Sequence, residues 1–71
     1  MTPIESPVTG SVWKLTSNVG DGVRAGDQLL ILESMKMEFP VEAPHDGVIE
    51  GIDVAEGDSV TAGDVLARLA R

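Results

Sequence analysis

Cysteine and tyrosine are absent from this sequence, and Trp13 and Phe39 are its aromatic residues. Without thiols, no disulfide or thiolate metal site can reinforce the core. A chain of 71 residues buries only roughly 60% of the surface it exposes when unfolded, so its aliphatic residues must be used economically. Basic residues are also scarce. Lys14, Lys36, Arg24, Arg68 and Arg71 face 12 acidic residues, and the formal net charge is −7. A phosphate backbone or an anionic lipid surface would be repelled, which argues against nucleic acid and membrane as partners. No apolar run approaches the ~20 residues that a spanning helix needs. The opening "MTPIESPVTG" has neither a basic nor an apolar leader region. The missing cysteine and the missing export signal fit a cytoplasmic protein.

What is present is aliphatic. The hydrophobic share is 42%, carried by Val, Ile, Leu and Ala, which suffices for one globular domain over residues 1–71 and is too high for a disordered chain. The strongest organisational signal is an internal repeat. Laid over Glu38–Arg71 at one constant offset, Met1–Ser34 matches it without a gap. Pro3 meets Pro40, Glu5 meets Glu42, Pro7 meets Pro44 and Gly10 meets Gly47. Gly20-Asp21 meets Gly57-Asp58, Val23 meets Val60, and Ala25-Gly26-Asp27 meets Ala62-Gly63-Asp64. Leu29 meets Leu66 and Leu32 meets Leu69. The residues left over are Met35, Lys36 and Met37.

Each half reads as short β-strands bounded by Gly, Pro, Asp and Ser. "GSVWKL" and "GVIEGI" start from glycine, and "QLLILE" is an apolar run of strand length. In "MEFPVEA", Phe39, Val41 and Ala43 share one face. Pro40 cannot donate to a ladder, which predicts an edge strand or an outward-turned position. "GDGVRAGD" and "GDSVTAGD" predict tight turns around a single buried valine. No helical stripe occurs. Two like halves of about four strands predict two small antiparallel four-stranded sheets facing each other as a flattened barrel or sandwich with quasi-two-fold symmetry. The expected core is Val12, Leu15, Val23, Leu29, Ile31, Ile49, Ile52, Val60 and Leu66, with the choice between Leu30 and Ile31 left open. Leu15 follows Val12, and Ile52 follows Ile49, out of strict alternation, which predicts a bulge in each half.

If "QLLILES" and "MEFPVEA" are neighbours, their turn is centred on Met35 and Lys36. Two-residue hairpin turns favour Asn-Gly or Asp-Gly because both central residues need positive φ. Met-Lys is poorly suited to this, while the other turns of the chain are rich in Gly and Asp. A single site that breaks local rules that the rest obeys points to function or strain. At a hairpin tip the amine of Lys36 faces solvent between two exposed thioethers, which marks it as a target for another protein. A solvated lysine is almost wholly protonated at neutral pH and is a weak nucleophile by itself. It suits acylation by an enzyme that supplies an activated acyl donor and removes the proton.

The other chemically versatile residues read as structural. Lys14 is expected to point outward from a strand, and Trp13 to be partly buried or to cover an edge. His45 has no second His or Cys nearby in sequence and is read as a surface residue, not a metal ligand. Asp21, Asp27, Asp58 and Asp64 recur in equivalent Gly-Asp contexts, which fits turns better than calcium. No nucleophile–base–orienter set is visible, so no catalysis by the chain alone is expected.

"ESMKME" followed by "APHDGVIEGIDVAEGDSVTAGDVLARL" closely resembles the biotinyl domain of the biotin/lipoyl attachment family, over nearly the whole chain. The resemblance implies a flattened β-barrel with the modified lysine on a hairpin turn, far from the chain ends. It implies that Lys36 carries covalent biotin, attached by a biotin protein ligase from biotinyl-adenylate. Met35 and Met37 match the biotin-type Met-Lys-Met motif and not the lipoyl-type Asp-Lys-Ala. Glu33 matches an acidic recognition position, and Ser34 stands where alanine is frequent. The implied role is a swinging arm that takes a carboxyl group from a biotin carboxylase and delivers it to a carboxyltransferase. "TSNVGD" leaves no room for the inserted thumb of some acetyl-CoA carboxylase carriers, so the resemblance is to thumbless domains such as those of pyruvate, propionyl-CoA, methylcrotonyl-CoA and urea carboxylases. A free-standing carrier, monomeric when isolated, is the expectation. A lipoyl carrier and an unmodified interaction module are the competing readings.

Overall fold

The computed structural model describes residues 1–70 and contains eight strands and no helix. They are β1 (Thr2–Glu5), β2 (Gly10–Leu15), β3 (Gly22–Val23), β4 (Gln28–Ser34), β5 (Met37–Glu42), β6 (Gly47–Ile52), β7 (Ser59–Val60) and β8 (Val65–Ala70). One four-stranded sheet has the order β1-β8-β6-β3 and the other β5-β4-β2-β7. All pairings are antiparallel. The repeat seen in sequence maps each strand of the first sheet onto its equivalent in the second, which is the quasi-two-fold expected. Neither half makes a sheet by itself, however. Each sheet takes two strands from each half, so the halves are interleaved. A repeat in sequence states which strands are equivalent, but it does not state which strands pair.

The Gly-Asp turns lock the halves together. Gly20, Gly26, Gly57 and Gly63 have φ of 94°, 90°, 92° and 94°, conformations that glycine adopts without steric cost. In each turn the following aspartate caps the chain three residues back. Asp21, Asp27, Asp58 and Asp64 accept from the backbone N–H of Asn18, Arg24, Ala55 and Thr61 at 2.8, 2.9, 2.9 and 2.8 Å. These four carboxylates are therefore turn elements, and no group of metal-ligating side chains occurs among the described residues. The turns also bond across the molecule. The N–H of Gly57 donates to the Val12 carbonyl and that of Gly20 to the Ile49 carbonyl, both at 2.8 Å.

The core joins Ile4, Val12, Leu29, Leu30, Leu32, Val41, Ala43, Ile49, Val60, Leu66, Ala67 and Leu69, with Leu15, Val23 and Ile52 half-buried against it. The expected bulges are present. The β2–β4 register slips between Val12 and Lys14, and the β6–β8 register between Ile49 and Gly51. A second equivalent pair of slips, at Leu29 and Leu66, was not foreseen. It turns Leu29 and Leu30 inward together and leaves Ile31 only partly buried, so the placement of Ile31 in the core is corrected. Trp13 is corrected as well. It is 49% exposed and sits within the inner strand β2, not at an edge, because the bulge there presents both Trp13 and Lys14 to solvent. Pro40 lies in β5, an edge strand, as its missing N–H requires. His45 is half-buried: its Nδ1 donates to the Asp46 carbonyl at 2.7 Å, and its Nε2 faces the Thr2 hydroxyl at 2.8 Å, tethering the start of β1.

Candidate functional site

The hairpin at the centre of the sequence grows from β4 and β5, whose ladder runs from Leu30↔Val41 through Glu33↔Glu38 to Ser34↔Met37. The turn beyond is Met35-Lys36, with φ of 53° and 64°. Both values lie in the left-handed region, which is the primed geometry that matches strand twist. They are also the described non-glycine residues with positive φ. For an L-residue this conformation costs roughly 1–2 kcal/mol. The fold therefore carries local strain at its tip that Asn-Gly would avoid.

The base of the hairpin is held from below. The Ser34 hydroxyl donates to the Thr9 carbonyl at 2.7 Å. Gly10 lies so close that a Cβ there would collide with the Glu33 carbonyl oxygen and press on the Ser34 Cβ. The sequence marked Gly10 only as the start of a strand. Its second role, letting β2 press against the root of the tip, depends on a contact between distant segments. β1 begins at Thr2 beside Leu69 and runs toward Thr9, next to the hairpin base. The tip and the described chain ends thus lie at opposite ends of a body 32 Å long and 17 Å across.

At the tip, Met35 is 92% exposed and Met37 61%. Lys36 is exposed, and no described hydrogen bond or ion pair engages its amine. Glu33 is exposed and Ser34 half-buried. The structure thus brings together Glu33, Ser34, Met35, Lys36 and Met37 on one hairpin end. Lys14, the other lysine, projects from the middle of a sheet face and is not displayed on a turn. An unpaired amine on a strained, projecting turn is placed to attack an activated acyl group brought by another protein.

The strain makes a measurable prediction. Lys36→Gly removes the amine and relieves the left-handed turn at that position. The folded state should gain about 1 kcal/mol, read as a higher urea midpoint. A midpoint equal to or below that of the wild type would contradict a strained turn.

The chain belongs to the family described as "Biotin-requiring enzyme", which it matches over residues 1–69. It is 41% identical over 63 residues to the biotin/lipoyl attachment protein of Bacillus subtilis, covering 89% of this chain and 86% of that one. It is 41% identical over 68 residues to the pyruvate carboxylase of Staphylococcus aureus, covering 96% of this chain and 6% of the enzyme. Among solved structures, urea carboxylase of Kluyveromyces lactis superposes with a TM-score of 0.93 at 40% identity over 97% of this chain and 6% of that one. The lipoyl domain of the Azotobacter vinelandii 2-oxoglutarate dehydrogenase complex superposes with a TM-score of 0.85 at 28% identity, over 100% and 98% of the two chains. The chain thus spans a small fraction of the large carboxylases and most of the small attachment proteins. The biotin/lipoyl resemblance, the all-β fold and its two antiparallel sheets are as the sequence indicated.

Proposed function

We propose that this chain is a biotin carboxyl carrier, with biotin joined to Lys36 by a biotin protein ligase, and that the protein itself is non-catalytic. The observation that supports this best is the exposed, unpaired amine of Lys36 on a left-handed Met-Lys turn. The Lys36 Nζ loses its proton to the ligase and attacks the carbonyl carbon of an activated biotinyl-adenylate. An amide bond forms and AMP leaves. Bound biotin supplies a ureido ring that accepts and releases a carboxyl group. The barrel's part is mechanical. Its two interleaved sheets hold the hairpin rigid, so motion is confined to the tether. The tether keeps the ring at an effective concentration on the mM scale around the domain, within reach of a biotin carboxylase and a carboxyltransferase. The Met35 and Met37 thioethers lie beside the attachment point and suit ligase recognition of the biotin type. A cytoplasmic location fits a carrier that works with these enzymes.

Co-expression with a biotin protein ligase followed by intact-protein mass spectrometry tests the reading. A single biotinyl adduct on Lys36 is expected. A lipoyl adduct, or none, would overturn it.

A further inference from the structure

The quasi-two-fold symmetry provides an internal control, because residues needed only for folding should recur in both halves. One outer sheet face departs from its equivalent. On the β5-β4-β2-β7 sheet that carries the hairpin, Lys14 pairs with Ile31, and Ile31 pairs with Pro40, so one row crosses three strands. Trp13, at the bulge beside this row, is 49% exposed. The equivalent places on the other sheet are Glu50, Gly51, Arg68 and Pro3. There the Arg68 guanidinium lies over Gly51, where a Cβ would meet it, and its Nη2 bonds Asp53 at 3.1 Å. One face thus carries its own ion pair beside Gly51, while the other has no such pair among the described residues and leaves Trp13 exposed beside a partly buried Ile31.

Between this row and the tip stands Glu33 directly opposite Glu38. Like charges facing across strands destabilise a sheet. Neither glutamate has an ion-pair partner among the described residues, where the single ion pair is Arg68–Asp53. The repeat places Ala70 and Met1 at the equivalent positions, so the acidic pair is also peculiar to this sheet.

We infer that the outer face of the β5-β4-β2-β7 sheet is the docking surface for the biotin protein ligase, with Trp13 seated in an apolar pocket whose rim meets the partly exposed Ile31, and basic ligase groups facing Glu33 and Glu38. This rests on the proposed biotinylation of Lys36. The ligase is the occupant because of reach. Before modification the amine ends a short four-carbon stem, so an enzyme that acylates it must press its body against the hairpin and the adjoining sheet. After modification the longer arm removes that requirement for the carboxylase partners. The face is continuous with the tip through the acidic pair, and its charge complements a basic rim.

Trp13→Glu installs the residue that the other half carries at this place. In steady-state biotinylation of the apo chain by a ligase that modifies the wild type, KM should rise about ten- to thirtyfold, the effect of losing an aromatic anchor, with little change in kcat. Glu50→Gln, on the opposite sheet, should leave KM unchanged. Should Trp13→Glu fold poorly, the wild-type chain labelled with fluorotryptophan gives the same answer, because it has a single tryptophan. Its fluorine resonance should shift on adding unlabelled ligase. A KM within twofold of the wild type, a resonance unmoved by ligase, or a wild-type dimer in solution that buries Trp13 would each overturn the inference. A wild-type chain that no ligase modifies would instead sink the proposed carrier function.

Discussion

Lys36→Arg should abolish the biotinyl adduct completely while leaving the barrel intact. The guanidinium keeps the positive charge, but its pKa is too high for it to lose a proton in a protein, so it offers no nucleophile to an acyl donor. Little structural change should follow, because the side chain is exposed and makes no described bond. Arginine inherits the same left-handed backbone, so the thermal midpoint should stay within a few degrees of the wild type. The matched control is Lys14→Arg. Lys14 is also exposed, but it stands on β2 and is not on a projecting turn. Its loss should leave the adduct in place. Intact mass measurement after co-expression with ligase reads both variants. An adduct surviving on Lys36→Arg would mean that some other amine is the target, and the geometric argument for the tip would fail.

The second large effect concerns the strand beneath the tip. Leu32 is 0% exposed and lies between Val12 of β2 and Phe39 of β5. Leu32→Ala removes buried volume in a region that cannot close around it, because ladder bonds fix the strands on either side. Such truncations cost about 2–5 kcal/mol. A domain of this length has a total stability of only about 4–11 kcal/mol at typical values per residue. The variant should therefore lose a large share of its stability, with a urea midpoint lower by roughly 1 M or more at the slope usual for small proteins. It should also accept biotin poorly where it is partly unfolded, because the primed turn exists only while β4 and β5 are paired. A midpoint within about 0.5 M of the wild type would show that Leu32 does not anchor the hairpin.

These two substitutions separate the tip from its support. The first removes chemistry and spares the fold. The second leaves the chemistry in place and weakens its scaffold. Together with the stabilisation expected for Lys36→Gly, they describe a site where local stability is given up for an amine in a defined position.

Much of this was legible in the residues. The constant offset between the halves locates the strands and the four Gly-Asp turns, because φ near +90° at Gly20, Gly26, Gly57 and Gly63 is a local demand that glycine signals directly. The unrepeated Met35-Lys36-Met37 singles out the tip, since the hydrophobic pattern places a turn where no turn-forming residue stands. The inward face of β4 was not legible. The slip at Leu29 changes which side chains turn inward, and the choice between Leu30 and Ile31 depends on that register, which is set by pairing with β5. Trp13 was misplaced for a related reason, because a bulge makes neighbouring residues share the solvent side and alternation then misleads.

The sequence by itself determined the equivalence of the halves, the positions of the turns and the one lysine that stands outside the repeat, because each is encoded in a residue type at a fixed spacing. Only the tertiary structure decided that the halves interleave, that Gly10 supports the hairpin from a distant strand, and that Trp13 stays exposed on one sheet face while Arg68 and Asp53 pair on the other. Those outcomes rest on pairings between segments far apart in the chain, and such pairings are selected by packing and by backbone hydrogen bonding over the whole barrel.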